Sequence, residues 1–263
     1  MRRLTTIMVL LVAQLVVVAT AEAQGTWHMR NSNAAPAWTD YTLVYGNPGE
    51  HVVTGDWDGN GSDTIGTFLN GSWYLTSYQG PPLTGYYVNY GQAGDIPMPG
   101  NWAPTGHQDS VGVYRAGTWH QWRTDLNRSV SFAYGGWDNK PFKGDYLDTQ
   151  GSGPHTDEVG IRAAWWGDGI NSWANVWHRR VANTIKFSWA EHSDTGFYGD
   201  WNGDGVDTPG VYRPSDGTWH LSNEWDGTPT AYHFSYGGEP GDKPVFGDWN
   251  NDGIDTVGIV RGL

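Results

Sequence analysis

Cysteine is absent from all 263 residues, so no disulfide can tie the chain and no thiolate can act as a nucleophile. Basic residues are scarce as well: 15 Lys and Arg stand against 28 Asp and Glu, a formal charge of −13. With no Lys/Arg cluster and an acidic surface, a nucleic-acid partner is not expected. Long apolar runs are missing except at the start, where Ile7 to Thr20 follows Arg2 and Arg3 and precedes Ala21-Glu22-Ala23. That order reads as a secretory signal over residues 1–23, leaving one mature domain, 24–263, without a membrane span. The expected location is secreted, extracellular or periplasmic. Helical periodicity is lacking throughout. So are His-Glu-x-x-His, Gly-x-Ser-x-Gly and the phosphate loop, which leaves enzyme activity without a sequence signature.

What the chain has instead is glycine and tryptophan, 38 and 17 residues, placed in register. A Trp strand recurs five times, at Trp27, Trp73, Trp119, Trp177 and Trp219. Each is followed by an aromatic-Gly strand end: Tyr45-Gly46, Tyr90-Gly91, Tyr134-Gly135, the weaker Trp189-Ala190, and Tyr236-Gly237. A third strand ends at Trp57, Trp102, Tyr146, Trp201 and Trp249, and a fourth carries Gly66, Gly112, Gly160, Gly210 and Gly258. Four short β-type runs per unit, repeating at about 46 residues, predict an all-β fold of propeller blades. The chain begins on a Trp strand and ends on a Gly-Ile-Val-Arg strand. The phase therefore predicts a five-bladed β-propeller of four-stranded blades, the last closed by two N-terminal and two C-terminal strands.

Three of the turns are acidic and nearly identical: Asp56-Trp-Asp-Gly-Asn-Gly-Ser-Asp63, Asp200-Trp-Asn-Gly-Asp-Gly-Val-Asp207 and Asp248-Trp-Asn-Asn-Asp-Gly-Ile-Asp255. Oxygen-bearing side chains occupy positions 1, 3 and 5, Gly occupies 6 and another Asp occupies 8. That pattern suits calcium, which takes several oxygens on a sharply turning loop. Asp/Asn-Gly hairpin turns share part of the pattern, but three copies with fixed spacing favour metal. The expected cofactor is about three calcium ions in a structural role, since clustered carboxylates repel one another until a cation neutralises them.

Gly-Asp-Trp-Asn-Gly-Asp-Gly-Val-Asp followed by a Gly-containing strand resembles the calcium-binding FG-GAP repeats of integrin α-subunit propellers and the related bacterial VCBS-type repeats. The resemblance implies a propeller with calcium between the first two strands of a blade, and extracellular binding or adhesion. It implies as ligands Asp56, Asp58 and Asn60; Asp200, Asn202 and Asp204; and Asp248, Asn250 and Asp252, with the backbone carbonyls of Ser62, Val206 and Ile254. Integrin propellers usually have seven blades, against five repeats here. The family's last acidic ligand sits at position 9. This chain has Asp63, Asp207 and Asp255 at position 8 and Thr64, Thr208 and Thr256 at 9, so the loop is one residue shorter or uses the Thr hydroxyl. The loops Asn101–Asp109 and Asp145–Asp157 have lost the pattern and are expected to bind no calcium.

Seven tryptophans fall outside the repeat phase: Trp38, Trp122, Trp137, Trp165, Trp166, Trp173 and Trp225. Trp165, Trp166 and Trp173 belong to a long irregular connection, Ala163 to Ala174. That connection is expected on the face opposite the acidic loops, together with Trp137. Exposed aromatics need a reason, and stacking on a sugar ring is one, so Trp137, Trp165, Trp166 and Trp173 are candidate ligand contacts. His28, His120, His178 and His220 follow the repeat Trp and are expected to serve between blades. The functional expectation is a calcium-stabilised binding module for a glycan, or for a cell-surface protein in adhesion. The alternatives are a polysaccharide lyase or hydrolase and a purely structural assembly module.

Overall fold

Short runs rich in β-branched and aromatic residues, broken by Gly, Asn and Asp, become twenty strands in the computed structural model, with no helix among the described residues. The structure describes residues 24–35, 38–77, 85–104, 106, 108–137, 139–145, 156–163, 172–178, 181–187, 193–225 and 231–263, with backbone alone for 162–163, 172–178 and 181–187. The segment 1–23, Tyr146, Trp165, Trp166 and Trp189-Ala190 lie outside them. No described helix is long and apolar enough to cross a membrane.

In chain order the strands are β1 (Thr26–Met29), β2 (Tyr41–Val44), β3 (His51–Gly55), β4 (Thr64–Leu69), β5 (Ser72–Thr76) and β6 (Gly85–Asn89). Next come β7 (Ile96–Pro97), β8 (Gly112–Arg115), β9 (Thr118–Arg123) and β10 (Arg128–Ala133), then β11 (Lys140–Gly144), β12 (Glu158–Ala163), β13 (Ser172–His178) and β14 (Val181–Phe187). The chain finishes with β15 (Thr195–Gly199), β16 (Thr208–Arg213), β17 (Thr218–Leu221), β18 (Tyr232–Ser235), β19 (Lys243–Gly247) and β20 (Thr256–Arg261). They form five antiparallel four-stranded sheets arranged as a β-propeller: β3–β6, β7–β10, β11–β14, β15–β18, and a sheet ordered β19-β20-β1-β2. In that last sheet β1 pairs with β20, with Trp27 opposite Val260, so the two ends of the chain share one sheet.

The repeat tryptophan ties the third strand of a sheet to the fourth. The indole N–H of Trp27, Trp73, Trp119 and Trp219 donates to the carbonyls of Tyr45, Tyr90, Tyr134 and Tyr236, at 2.8–3.1 Å. All four indoles are 0% exposed. The glycine after each Tyr has positive φ, 83° at Gly46 and 98° at Gly91, which explains why Tyr-Gly recurs. The recurrent glycine of the second strand answers a different need, close approach. A Cβ at Gly210 would stand 2.4 Å from the Phe197 ring, and one at Gly160 would stand 2.0 Å from that of Phe142. A third device was not anticipated from sequence. Arg115, Arg213 and Arg261 each clamp a buried Asp just before the first strand of the same sheet, Asp95, Asp194 and Asp242.

Candidate functional site

In the acidic loops the first carboxylate organises the turn. Asp56 accepts the N–H groups of Gly59 and Asn60 on Oδ1 and of Gly61 on Oδ2. Asp200 takes Gly203, Asp204 and Gly205 in the same way, and Asp248 takes Asp252 and Gly253. Position 5 then caps position 7: Asn60 accepts from Ser62, Asp204 from Val206 and Asp252 from Ile254. Each loop so gathers two carboxylates and one amide, an all-oxygen donor set. Burial raises the pKa of Asp56 and Asp200 against the pull of those N–H groups, a cost that a cation would offset. Among the described residues no three His, Cys, Asp or Glu side chains converge to hold a metal by themselves. A cation here would need the Asn and backbone oxygens too.

The eighth residue of each loop reaches a neighbouring loop. The Asp63 amide donates to the Asp248 carbonyl at 2.7 Å, and the Asp248 amide returns a bond to Asp63 Oδ2 at 2.9 Å. The pairs Asp255 with Asp200, Asp207 with Asp145, and Asp157 with Asn101 repeat this exchange, and the Asp109 amide donates to the Asp56 carbonyl. Each loop is thereby bonded to the next until the circuit returns to its start. The three acidic loops are consecutive in it.

This circuit surrounds the mouth of the central cavity, about 210 Å³, lined by the first strands of the sheets and by Asp63, Asp207, Asp255 and Lys143. Lys143 on β11 lies 3.2 Å from Asp157 Oδ2. Burial pushes Asp63 up to about 6, and burial together with the nearby Asp157 charge pushes Asp207 up to about 8. Burial and neighbouring carboxylates also carry Asp109 and Asp255 well above the usual range. Burial disfavours the Lys143 charge, but Asp157, Asp109, Asp207 and Asp63 together outweigh it and hold the ammonium protonated.

Grooves run between adjacent sheets on the acidic-loop face. The groove between β3–β6 and β7–β10 encloses about 550 Å³ and is walled by Tyr86, Val88 and Tyr90 on one side and by Trp122 and Thr124 on the other. Trp57 and Asp58 of the first acidic loop meet Gln108 and Asp109 of the degraded loop in its lining. Trp122 stands edge-on to Tyr90, with ring centroids 6.2 Å apart. The next groove round, with Trp102, Gln121, Arg123 and Phe132 in its wall, encloses about 370 Å³. Concave aromatic sites of this size, with a few polar groups, are where small ligands are usually held.

The candidate aromatics fare unequally. Trp137 is 85% exposed in the connection from β10 to β11, on the face opposite the acidic loops, and so stands apart from these grooves. Trp173 is not in an irregular loop: it lies in β13, opposite Ala163 on β12, because the hairpin pairs further toward its tip than the Gly-rich sequence suggests. Trp165 and Trp166 fall outside the described residues. His120 bonds Ser131 and His220 stacks on His233 at 4.6 Å, each across neighbouring strands of its own sheet. Tyr86 and Tyr90 were missed, since their part in a groove needs a second sheet to complete it. Comparison with protein-family models, curated proteins and solved structures returns no match.

Proposed function

We propose that this chain is a secreted, five-bladed propeller stapled by calcium in three adjacent loops, acting as a binding module for glycans. The blade count is supported by the loop circuit, which passes through five loops before it closes. Calcium is supported by the donor sets at positions 1, 3 and 5: Asp56, Asp58 and Asn60; Asp200, Asn202 and Asp204; Asp248, Asn250 and Asp252. When bound, the metal would neutralise carboxylates that otherwise repel, holding the turns in shape. Asp63, Asp207 and Asp255 each have an oxygen engaged by the neighbouring loop, which favours a ring role for position 8. The FG-GAP and VCBS resemblance agrees with this arrangement.

The observation that carries glycan binding is the aromatic groove of about 550 Å³ beside the first acidic loop. Aromatic faces pack on the C–H face of a sugar while polar neighbours take its hydroxyls. The lyase or hydrolase alternative is weakened because the channel carboxylates Asp63, Asp157, Asp207 and Asp255 hold neighbouring loops together. Adhesion to a protein is favoured by one feature, the exposed tyrosines Tyr74, Tyr86 and Tyr87 on β5 and β6. A glycan array probed with and without calcium tests the main reading. The expected result is a saccharide signal that weakens in chelator; a blank array under both conditions would sink it.

A further inference from the structure

The grooves between sheets differ in what fills them, and the filling follows fixed offsets from the repeat tryptophan. Three residues beyond Trp27, Arg30 lays its guanidinium 4.5 Å from the Phe234 centroid and 5.3 Å from that of Tyr236. Six residues beyond Trp27, Asn33 donates Nδ2–H to the carbonyl of Asp255, the eighth residue of its loop, at 2.7 Å. Six residues beyond Trp219, Trp225 donates Nε1–H to the corresponding carbonyl of Asp207 at 2.9 Å and stacks on Tyr198, centroids 5.4 Å apart. Both places thus hold a flat group on an aromatic ring and an N–H on that carbonyl.

The groove at Trp122 has one half of this arrangement. Three residues beyond Trp119 stands Trp122, but six beyond stands Asp125, whose carboxylate accepts and cannot donate. Arg123 grips it with two bonds of 2.8 and 2.7 Å, within a tight turn closed by the Leu126 and Asn127 amides. No described side chain reaches the Asp109 carbonyl in the way that Asn33 and Trp225 reach theirs. The described lining has two carboxylates, Asp58 and Asp109, and no base.

Resting on the glycan reading above, we propose that this groove binds one neutral pyranose ring, its C–H face against Trp122 and Tyr86 and a hydroxyl donated to the Asp109 carbonyl. The ring supplies from outside the flat face and the donor that Arg30 with Asn33, and Trp225, supply from within. Uronates, sialates and sulfated sugars are excluded, because the described lining offers no base to pair with a carboxylate or sulfate.

The test is saturation-transfer NMR with methyl β-glucopyranoside, methyl β-galactopyranoside, methyl α-mannopyranoside and glucuronate as probes, with the Trp indole resonances followed in parallel. The variants are Trp122→Ala and Asp125→Trp. The second puts an indole at the same offset from its repeat tryptophan as Trp225, on the exposed turn between β9 and β10, so it serves if the first fails to fold. The expected result is transfer to at least one neutral glycoside, a shifted Trp122 indole signal, a Kd raised about tenfold or more by either variant, and no transfer to glucuronate. Neutral glycosides bound equally by both variants would overturn the groove and leave glycan binding elsewhere on the propeller. Equal binding of glucuronate would overturn the charge argument. An array signal that survives both variants, with no monosaccharide bound, would also count against the groove, whereas a blank array removes the glycan reading itself.

Discussion

Lys143 Nζ stands 3.2 Å from Asp157 Oδ2, and Asp63, Asp109 and Asp207 also act on its charge. It is the only base in the described lining of the central cavity. Replacing it with a neutral chain of similar length leaves those carboxylates facing one another. Lys143→Met is expected to lower stability by about 2 kcal/mol, between the values for exposed and fully buried pairs. Urea unfolding measures this, and adding Asp157→Asn should recover part of the loss. An unchanged midpoint in the single variant would show that Lys143 is not the counter-charge.

The same cluster sets a pH dependence. Asp63 and Asp207 titrate higher in the fold, about 6 and about 8, than in an unfolded chain, where Asp titrates near about 3.9. A raised pKa favours the protonated fold, so this contribution is complete below the unfolded pKa and is lost as pH rises through the folded one. His28, His51, His120 and His220 are depressed chiefly by burial and act the other way, but only as pH falls below about 6.5. Between pH 6.5 and 9 the aspartates therefore act without that opposition. In chelator, Tm should fall across this range, and Asp207→Asn should flatten the slope. A melting temperature that rises with pH there would contradict the assignment.

Calcium should raise Tm, and chelator should reverse it. Asp58→Ala, Asp204→Ala and Asp252→Ala combined keep the position 1 carboxylates that hold the turns while removing one donor per loop. The triple variant should fold and lose most of the calcium-dependent shift in differential scanning calorimetry. A shift of wild-type size would place the metal elsewhere.

Arg30 is 1% exposed, and among the described residues its Nε and Nη1 have no hydrogen-bond partner. Its Nη2–H reaches the Ala34 carbonyl, and its charge rests on Phe234 and Tyr236. Burying a guanidinium with unmatched N–H groups costs more than stacking on rings returns. Arg30→Met is expected to be neutral or to stabilise by about 1 kcal/mol, read from urea midpoints. A loss above about 2 kcal/mol would mean the cation–π contact outweighs the desolvation cost.

How far the sequence could be read follows from where each partner sits. Trp73 and Tyr90-Gly91 lie within one repeat, so their phase announced the strands. The pairing of β1 with β20 was legible because the repeat begins and ends mid-unit. Sequence leaves the last ligand open between Asp63 and Thr64, since an acid at position 8 looks the same whether it turns inward or toward Asp248. The groove was hidden for a related reason: Trp122 and Tyr86 come from different sheets. The meaning of Asp125 emerged only once Asn33 and Trp225, at the same offset, were seen to donate to equivalent carbonyls.

The shared sheet has a consequence for how the molecule is made. Thr256 donates its hydroxyl to the Arg30 carbonyl, two residues 226 positions apart. During synthesis β1 and β2 leave the ribosome before β19 and β20, and β1 is the last strand to gain its second neighbour. The three sheets β3–β6, β7–β10 and β15–β18 can each form from contiguous chain, as can β11–β14, while the clasp waits for β19 and β20. β1 and β2 can pair with each other, but the edge of β1 that meets β20 must stay open until then, which makes it the edge on which a chaperone has most reason to act.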